Sequence, residues 1–317
     1  MKKLFFISAL TFFLSCSNSN DYATNTLAFV KLNIQTTNDL TDVYFYDNNN
    51  GVVSGTYGFL AKTDDAGKTW IPLNTTLNHS FLSAFMLNTN AIFTARLGVY
   101  GSSNGGNTFS QLGNLQDYSD SIFAIHFFNA QKGIIIKGRI ILATNDGGMN
   151  WTIVNNEAEA LDNLQFVSST VGYASGGISY DGYSHGEIFK TTDGGLTWVK
   201  LISLSDSSEI TSAYFIDASV GFYFDFQKQL FKTIDGGITW NQVENDNLDY
   251  STSLVFVDAN LGYSTTFNGK IIKTIDGGMH WTEMYNNIDV PLIKIIKTQN
   301  NTIFAVGNEG SVLKKLN

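Results

Sequence analysis

Short apolar runs alternate along this chain with clusters of Gly, Asp, Asn, Ser and Thr. Representative runs are 51–58 (GVVSGTYG), 133–138 (GIIIKG), 221–226 (GFYFDF) and 270–275 (KIIKTI). They are short, rich in Val, Ile, Phe and Tyr, and bounded by turn formers, which predicts strands joined by tight turns. No stretch after residue 15 shows a convincing helical period.

Two strings recur in phase. The first is Thr/Ser-x-Asp-x-Gly-x-x-Trp, at 63–70 (TDDAGKTW), 102–109 (SSNGGNTF), 144–151 (TNDGGMNW), 191–198 (TTDGGLTW), 233–240 (TIDGGITW) and 274–281 (TIDGGMHW). The final residues are 39, 42, 47, 42 and 41 positions apart, and all 5 Trp of the chain occupy that position, with Phe109 in the sixth copy. The second string is Phe-x-Asp/Asn/Ser, three residues, then Gly, at 45–51, 127–133, 166–172, 215–221 and 256–262. Degenerate versions are read at 85–91 and 296–302.

Each unit of about 40 residues therefore holds four strands, A to D. A turn after the Phe joins A to B, and the Asp-containing turn joins C to D. Repeats of four strands and this period predict an all-β chain, a β-propeller of four-stranded antiparallel blades. Residues 27–317 divided by seven give a period of ~41.6, so seven blades are expected. The last unit has strands A, B and C at 292–317 but lacks the Asp turn and strand D. Residues 28–36 (AFVKLNIQT) look like the missing strand and are expected to close the ring, which removes a free sheet edge.

Composition narrows the function classes. The chain has 317 residues, 19 Lys and Arg against 28 Asp and Glu, 2 Pro and 1 Cys. One Cys excludes a disulfide framework. Only Arg96 and Arg139 are arginines, so phosphate-backbone binding is a poor prospect and no nucleic acid partner is expected. The four histidines, His79, His126, His185 and His280, lack metal-ligand spacing, and no metal or cofactor is implied. One carboxylate per Asp turn is too few for calcium.

Lys2 and Lys3 precede an apolar run, 4–14, that ends at Ser15 and Cys16. That is a charged n-region and a short h-region, too short to span a membrane comfortably. The run and the Cys resemble a bacterial lipoprotein signal, with Phe13 where the usual box has Leu. The resemblance implies cleavage before Cys16 and lipidation of its sulfur. Ser17 after the Cys resembles lipoproteins sorted to an outer membrane. The expected organisation is a signal peptide over 1–15, a flexible tether over 16–26 and the propeller over 27–317. Membrane attachment is expected by the lipid alone, on the periplasmic side or the cell surface.

The six recurring turns resemble the Asp-box, or BNR-repeat, propellers over essentially all of 27–317. The chain looks similar to the photosystem II stability/assembly factor-like family. In such turns an Asp accepts backbone N–H bonds, Gly permits positive φ and the aromatic packs beneath. Asp65, Asp146, Asp193, Asp235 and Asp276, with Trp70, Trp151, Trp198, Trp240 and Trp281, are therefore read as structural. The lysines before several turns (Lys62, Lys190, Lys232, Lys273) are read as a solvated strand face. Sialidases share the turn, but their chemistry needs three arginines, which two cannot supply. The photosystem family is associated with an arginine patch that this chain does not offer.

No catalytic residue is assigned. A binding face is expected where the D-to-A and B-to-C loops gather, opposite the Asp turns. It carries acidic residues (Asp120, Glu157, Glu159, Asp162, Glu209, Asp249, Asp289 and others) interspersed with Tyr118, Tyr250 and Tyr285. The longest repeat interval places an extended B-to-C loop at 176–186, adding Tyr180, Asp181, Tyr183 and His185. The favoured reading is a non-enzymatic platform for a protein partner in the cell envelope. The alternative is a carbohydrate-binding or glycoside-hydrolase-like lipoprotein with a glycan ligand. A small molecule in the central channel is a third reading.

Overall fold

The structure, a computed structural model, describes residues 28–113, 115, 120–180, 183–205, 208–245, 248–285 and 288–316. The calls on Cys16, Tyr118 and Asp181 lie outside the described residues. The described chain forms seven four-stranded antiparallel sheets, each one blade of a propeller. In blade one the strands are A (Leu40–Phe45), B (Gly51–Gly55), C (Leu60–Thr63) and D (Ile71–Pro72). Blade seven takes A, B and C from Leu292–Lys297, Ile303–Gly307 and Ser311–Lys315, and D from Phe29–Leu32. Phe29 pairs with Lys315 and Leu32 with Val312, so the first strand closes the ring as expected.

Apolar burial is divided among the gaps between blades. Seven buried clusters fill them; the seam cluster joins Leu40, Val43, Phe45 and Trp70 of blade one to Phe304, Val306 and Val312 of blade seven. Strand B is buried along its whole length in most blades, as in Gly133–Lys137 (GIIIK) and Ile303–Gly307 (IFAVG). A strand covered on both faces reads as a continuous apolar run rather than an alternation.

The Phe-to-Gly string has a steric cause. The last ring of strand A folds over the first residue of strand B. A methyl group on Gly51 would meet the Phe45 ring at 2.9 Å, and one on Gly262 would meet Phe256 at 2.6 Å. The same ring meets the Trp of its own blade edge-on, Phe45–Trp70 at 6.1 Å and Phe256–Trp281 at 6.4 Å. It also stacks on an aromatic from strand B of the preceding blade, Phe45 on Phe304 at 4.5 Å and Phe256 on Phe222 at 3.7 Å. The degenerate copies sit one residue later than read from sequence. Met86 pairs with Ile92, and Lys297 with Ile303, in the register that Phe45 and Gly51 hold. Neither copy has the Phe–Gly pair that marks the register elsewhere.

The recurring Asp turn is a closed hydrogen-bond circuit. Thr63 Oγ1 donates to Asp65 Oδ1 at 2.9 Å and accepts from Gly67 N at 2.9 Å. Asp65 also accepts from Thr69 N at 2.9 Å and Thr69 Oγ1 at 2.6 Å. These bonds hold the Asp65 carboxyl down at about 2, and Asp193 and Asp235 are held at about 2 in the same way. Asn104 reproduces the circuit in blade two. Trp198, Trp240 and Trp281 each donate Nε1 to a glycine carbonyl of their own turn.

Two of the four repeated lysines, Lys62 and Lys190, are not a solvated face. Lys62 donates to the Gly105 carbonyl in the next blade's turn at 2.6 Å. Lys190 reaches Ala218 and Gly236 of blade five at 3.1 Å each, and Lys314 of blade seven reaches Ala66 of blade one at 2.7 Å. Each ammonium clamps one blade to the next, and burial lowers the pKa of Lys190 and Lys314. A carbonyl in an adjacent blade's turn accepts the bond, and a long cationic side chain reaches it across the gap.

Candidate functional site: the loop face and the central channel

Strand A of every blade lines the axis. The strands do not pair with each other across blades, so side chains stitch them together. Thr41 Oγ1 donates to Phe81 O at 2.7 Å, and Asp42 accepts from Ala84 N at 3.0 Å. Gln165 exchanges two bonds with the Phe215 backbone, at 2.7 and 2.9 Å. Ser212 meets Ser251 at 2.9 Å.

Inside this ring lies a channel cavity of about 540 Å³. Asp42, Ser83, Ala124, Asn163, Ser212, Ser253 and Lys294 occupy one matching level of the seven strands and all line it. At the level nearer the Asp turns the lining is aromatic. Tyr44, Phe85, His126 and Phe166 form an arc with centroid spacings of 4.5, 5.0 and 4.7 Å. This arc opens into a second cavity of about 330 Å³. His126 is therefore channel lining, and its burial pulls its pKa down to about 4.

Three charges lining the channel, Asp162, Lys294 and Lys297, are left over from the stitching among the described residues. Lys294 projects into it without a hydrogen bond or ion pair among the described residues, and its charge acts on both Asp42 and Asp162. Asp162 is exposed to the channel water just before strand A of blade four. Desolvation by the protein around it lifts its carboxyl to about 7, with Lys294 opposing and Glu209 adding to the lift. Sequence reasoning placed Asp162 among the loop acids and missed Lys294. The signal was there, since Lys294 stands at a strand A position filled by Ser, Ala or Asn in five other blades.

The interval of 47 residues reflects an extended hairpin, not a loop. Strand B of blade four runs Gly172–Tyr180 and strand C runs Tyr183–Thr191, paired up to Tyr180 opposite Tyr183. Nothing is described of the Tyr180 side chain. Tyr183 donates its hydroxyl to Glu159 Oε2 at 2.6 Å, which lowers the pKa of Glu159. His185, expected on the binding face, is only 3% exposed, because strand D (Val199–Ser205) covers this part of the hairpin. It lies 3.5 Å from Glu187, a fully buried carboxylate. Glu187 takes the Lys200 ammonium at 2.8 Å and accepts from the backbone N–H groups of Glu159 and Ala160. This knot fixes the D-to-A loop to the hairpin and keeps His185 and Glu187 covered.

Tyr250 is 44% exposed on the loop face and belongs to a different group. Its ring lies 5.2 Å from that of Phe226, with the Lys228 ammonium 4.6 Å above it. Phe226 and Phe267 sit on the B-to-C turns of blades five and six and are both exposed; Phe267 N donates to the Tyr250 carbonyl. Tyr285 is buried. The structure therefore splits the predicted residues into a knot in blade four and an aromatic rim on blades five and six. Among the described residues, no group of three or more His, Cys, Asp or Glu could hold a metal ion, and no helix is long and apolar enough to cross a membrane.

No protein family and no curated protein matches the chain in sequence. Solved structures share its fold. One described as YCF48 bound to D1 peptide is 20% identical, with a TM-score of 0.74, over 92% of this chain and 95% of that one. YCF48 from Cyanidioschyzon merolae is 18% identical at a TM-score of 0.74, over 90% and 98%. The GH74 enzyme of Niastella koreensis is 16% identical at a TM-score of 0.62, over 86% of this chain and 51% of that one.

Proposed function

We propose that this chain is a non-enzymatic, lipid-anchored propeller of the Asp-box class that holds an extended segment of a protein partner at the loop-face mouth of its channel. The observation that carries the reading is the pair of charges near the mouth, Lys294 and Asp162, which make no side-chain bond to another blade among the described residues, in an open channel whose other polar side chains largely stitch the blades. The exposed rings of Phe226, Tyr250 and Phe267 offer apolar contact beside that mouth. Rigid aromatics around a polar pocket are the usual make-up of a protein-binding hot spot.

The partner segment carries a cationic group. Asp162 and its neighbour Glu209 stand at the loop-face end of the channel, with Lys297 toward the opposite end, and an entering ammonium or guanidinium would restore the Asp162 carboxylate. The lipid on Cys16 would hold the platform at the outer membrane. The fold shared with a YCF48 structure that contains a bound peptide is consistent with this use, and the proposal stands on the channel rather than on that likeness. The fold shared with half of a GH74 enzyme keeps a glycan ligand as the competing reading.

A photoreactive residue at Phe226 or Tyr250, illuminated in the native envelope, tests the choice. One stoichiometric protein adduct, lost on Asp162→Asn, supports the proposal. Glycan-array binding with no protein adduct would replace it with the glycan reading.

A further inference from the structure

We infer that the Asp-turn face, opposite the proposed binding mouth, is a docking surface for a lipid bilayer. The inference starts from side chains the fold does not need. Each Asp turn has two tip positions, after the Thr or Ser and after the last Gly. In blades one and two they hold Asp64 and Lys68, then Ser103 and Asn107. The same turn with the same circuit thus accepts charged and polar residues. In blades three to six the tips turn apolar: Met149, then Leu196, then Ile234 with Ile238, then Ile275 with Met279. All six are exposed, Ile234, Ile238 and Ile275 by 69, 74 and 71%. Scattered single apolar residues need no explanation, but here they hold matching positions on four consecutive blades.

The series rises from one apolar tip per blade to two as it approaches blade seven, which holds the first described strand, Phe29–Leu32. Ala28 O accepts from Leu316 N at 2.9 Å, and Lys314 clamps the blade one turn. Both described ends therefore lie on the Asp-turn face, where the other blades carry their turns. Leu316, half exposed, adds an apolar side chain there. Twelve residue steps separate Cys16 from Ala28, which allow at most about 40 Å of extended chain. A lipid on Cys16 would hold this face within that distance of the bilayer. Apolar tips at such a distance enter the interfacial region at little entropic cost, because the tether has already brought them there.

The bilayer fits better than an apolar protein partner because the tips are separate points on a broad rim, not a groove. A flat, deformable apolar phase can meet all of them at once. The carboxylates of the turns share the face, so zwitterionic lipid suits it better than anionic lipid. The orientation also leaves the channel mouth pointing away from the membrane.

This inference rests on the lipid-anchor reading for its geometry, and the test separates the two. The full chain is produced with its own leader, and Ile238→Cys, Ile275→Cys and Tyr57→Cys variants are each labelled with an environment-sensitive fluorophore. Tyr57 is 77% exposed on the loop face and serves as the control. The proteins are reconstituted in phosphatidylcholine vesicles carrying a doxyl-lipid quencher, and the mass of the Cys16 peptide is read in parallel. Quenching of the labels at 238 and 275 by at least twofold over that at 57 is expected, falling to the Tyr57 level for the Ile238 label when Ile234→Asp and Ile275→Asp are added. An acylated Cys16 with equal, weak quenching at all three sites overturns the docking face and leaves the anchor standing. Unmodified Cys16, with quenching retained when Cys16→Ser leaves the introduced thiol as the one labelled, sinks the anchor and supports the face. Shielding from water without sensitivity to the lipid quencher points to a protein on this face and overturns the inference.

Discussion

Gly262→Ala should destabilise the fold through Phe256, and a double-mutant cycle can isolate that cause. Gly262 opens strand B of blade six, and a methyl group there would lie 2.6 Å from Cε1 and 2.7 Å from Cδ1 of Phe256. The ring cannot swing away, since it stacks on Phe222 at 3.7 Å, meets Trp281 edge-on and is fully buried. Overpacking a filled site costs about 1–3 kcal/mol. Reduced freedom of the unfolded chain returns about 0.4–1 kcal/mol. The net loss is then about 0–2.6 kcal/mol, centred near 1. Phe256→Ala should cost about 3–5 kcal/mol, the usual result of emptying an aromatic site. In the double variant the methyl enters the space the ring has left, so the two losses should fall short of their sum by about 2 kcal/mol. Urea unfolding followed by Trp fluorescence and circular dichroism gives the four free energies, provided both probes report one transition. Additive losses would refute the claim that the Phe-to-Gly string is a ring-over-glycine contact.

Acid should unfold the propeller through its turns. Asp65, Asp193 and Asp235 have folded pKa values near 2, below their unfolded value, so their contribution is present above about pH 4 and is lost as pH falls toward 2; a Tm unchanged between pH 5 and 2 would contradict the circuit. Asp162→Asn should work in the opposite sense. A carboxyl raised to about 7 disfavours the folded state most above that pH, so the variant's gain in Tm should be full at pH 8 and shrink as pH falls from 7 toward 4. Lys314→Met should lower Tm by removing the clamp across the ring seam, and Lys297→Met, whose side chain makes no such bond among the described residues, should leave it nearly unchanged. Deletion of residues 28–36 exposes the edge of Ser311–Lys315 and should sharply lower the Tm and promote oligomers seen by light scattering.

The fold was legible because each blade repeats one solution to one packing problem. A Phe, a Gly, an Asp turn and a Trp recur in phase, and each is needed in nearly every blade. The boundaries failed where that signature is absent, at Met86 and Lys297, because two residues without the ring-over-glycine contact carry no local mark of register. The lysine clamps were misread for a different reason. Lys62 and Lys190 act on carbonyls 43 and 46 residues away, and the strand pattern says only that their side chains leave the apolar face.

The site was legible to a smaller degree, and Tyr183, His185 and Lys294 show why. An excess over the repeat length located the blade four hairpin, but length does not say whether extra residues form a loop or extend a ladder. Pairing through Tyr180 and Tyr183, together with the longer strand D, turned His185 inward and gave the buried Glu187 a cation. Lys294 is the converse case. In a symmetric ring the fold fixes which strand faces the axis but leaves the identity of each axial residue free, apart from the bonds that stitch neighbouring strands. A residue at that level with no stitching bond is therefore free of the constraint that explains its neighbours. By that criterion Lys294, with Asp162 one residue before that level in blade four, rather than the exposed Tyr250 of the rim, is where substitution should change binding and leave the architecture intact.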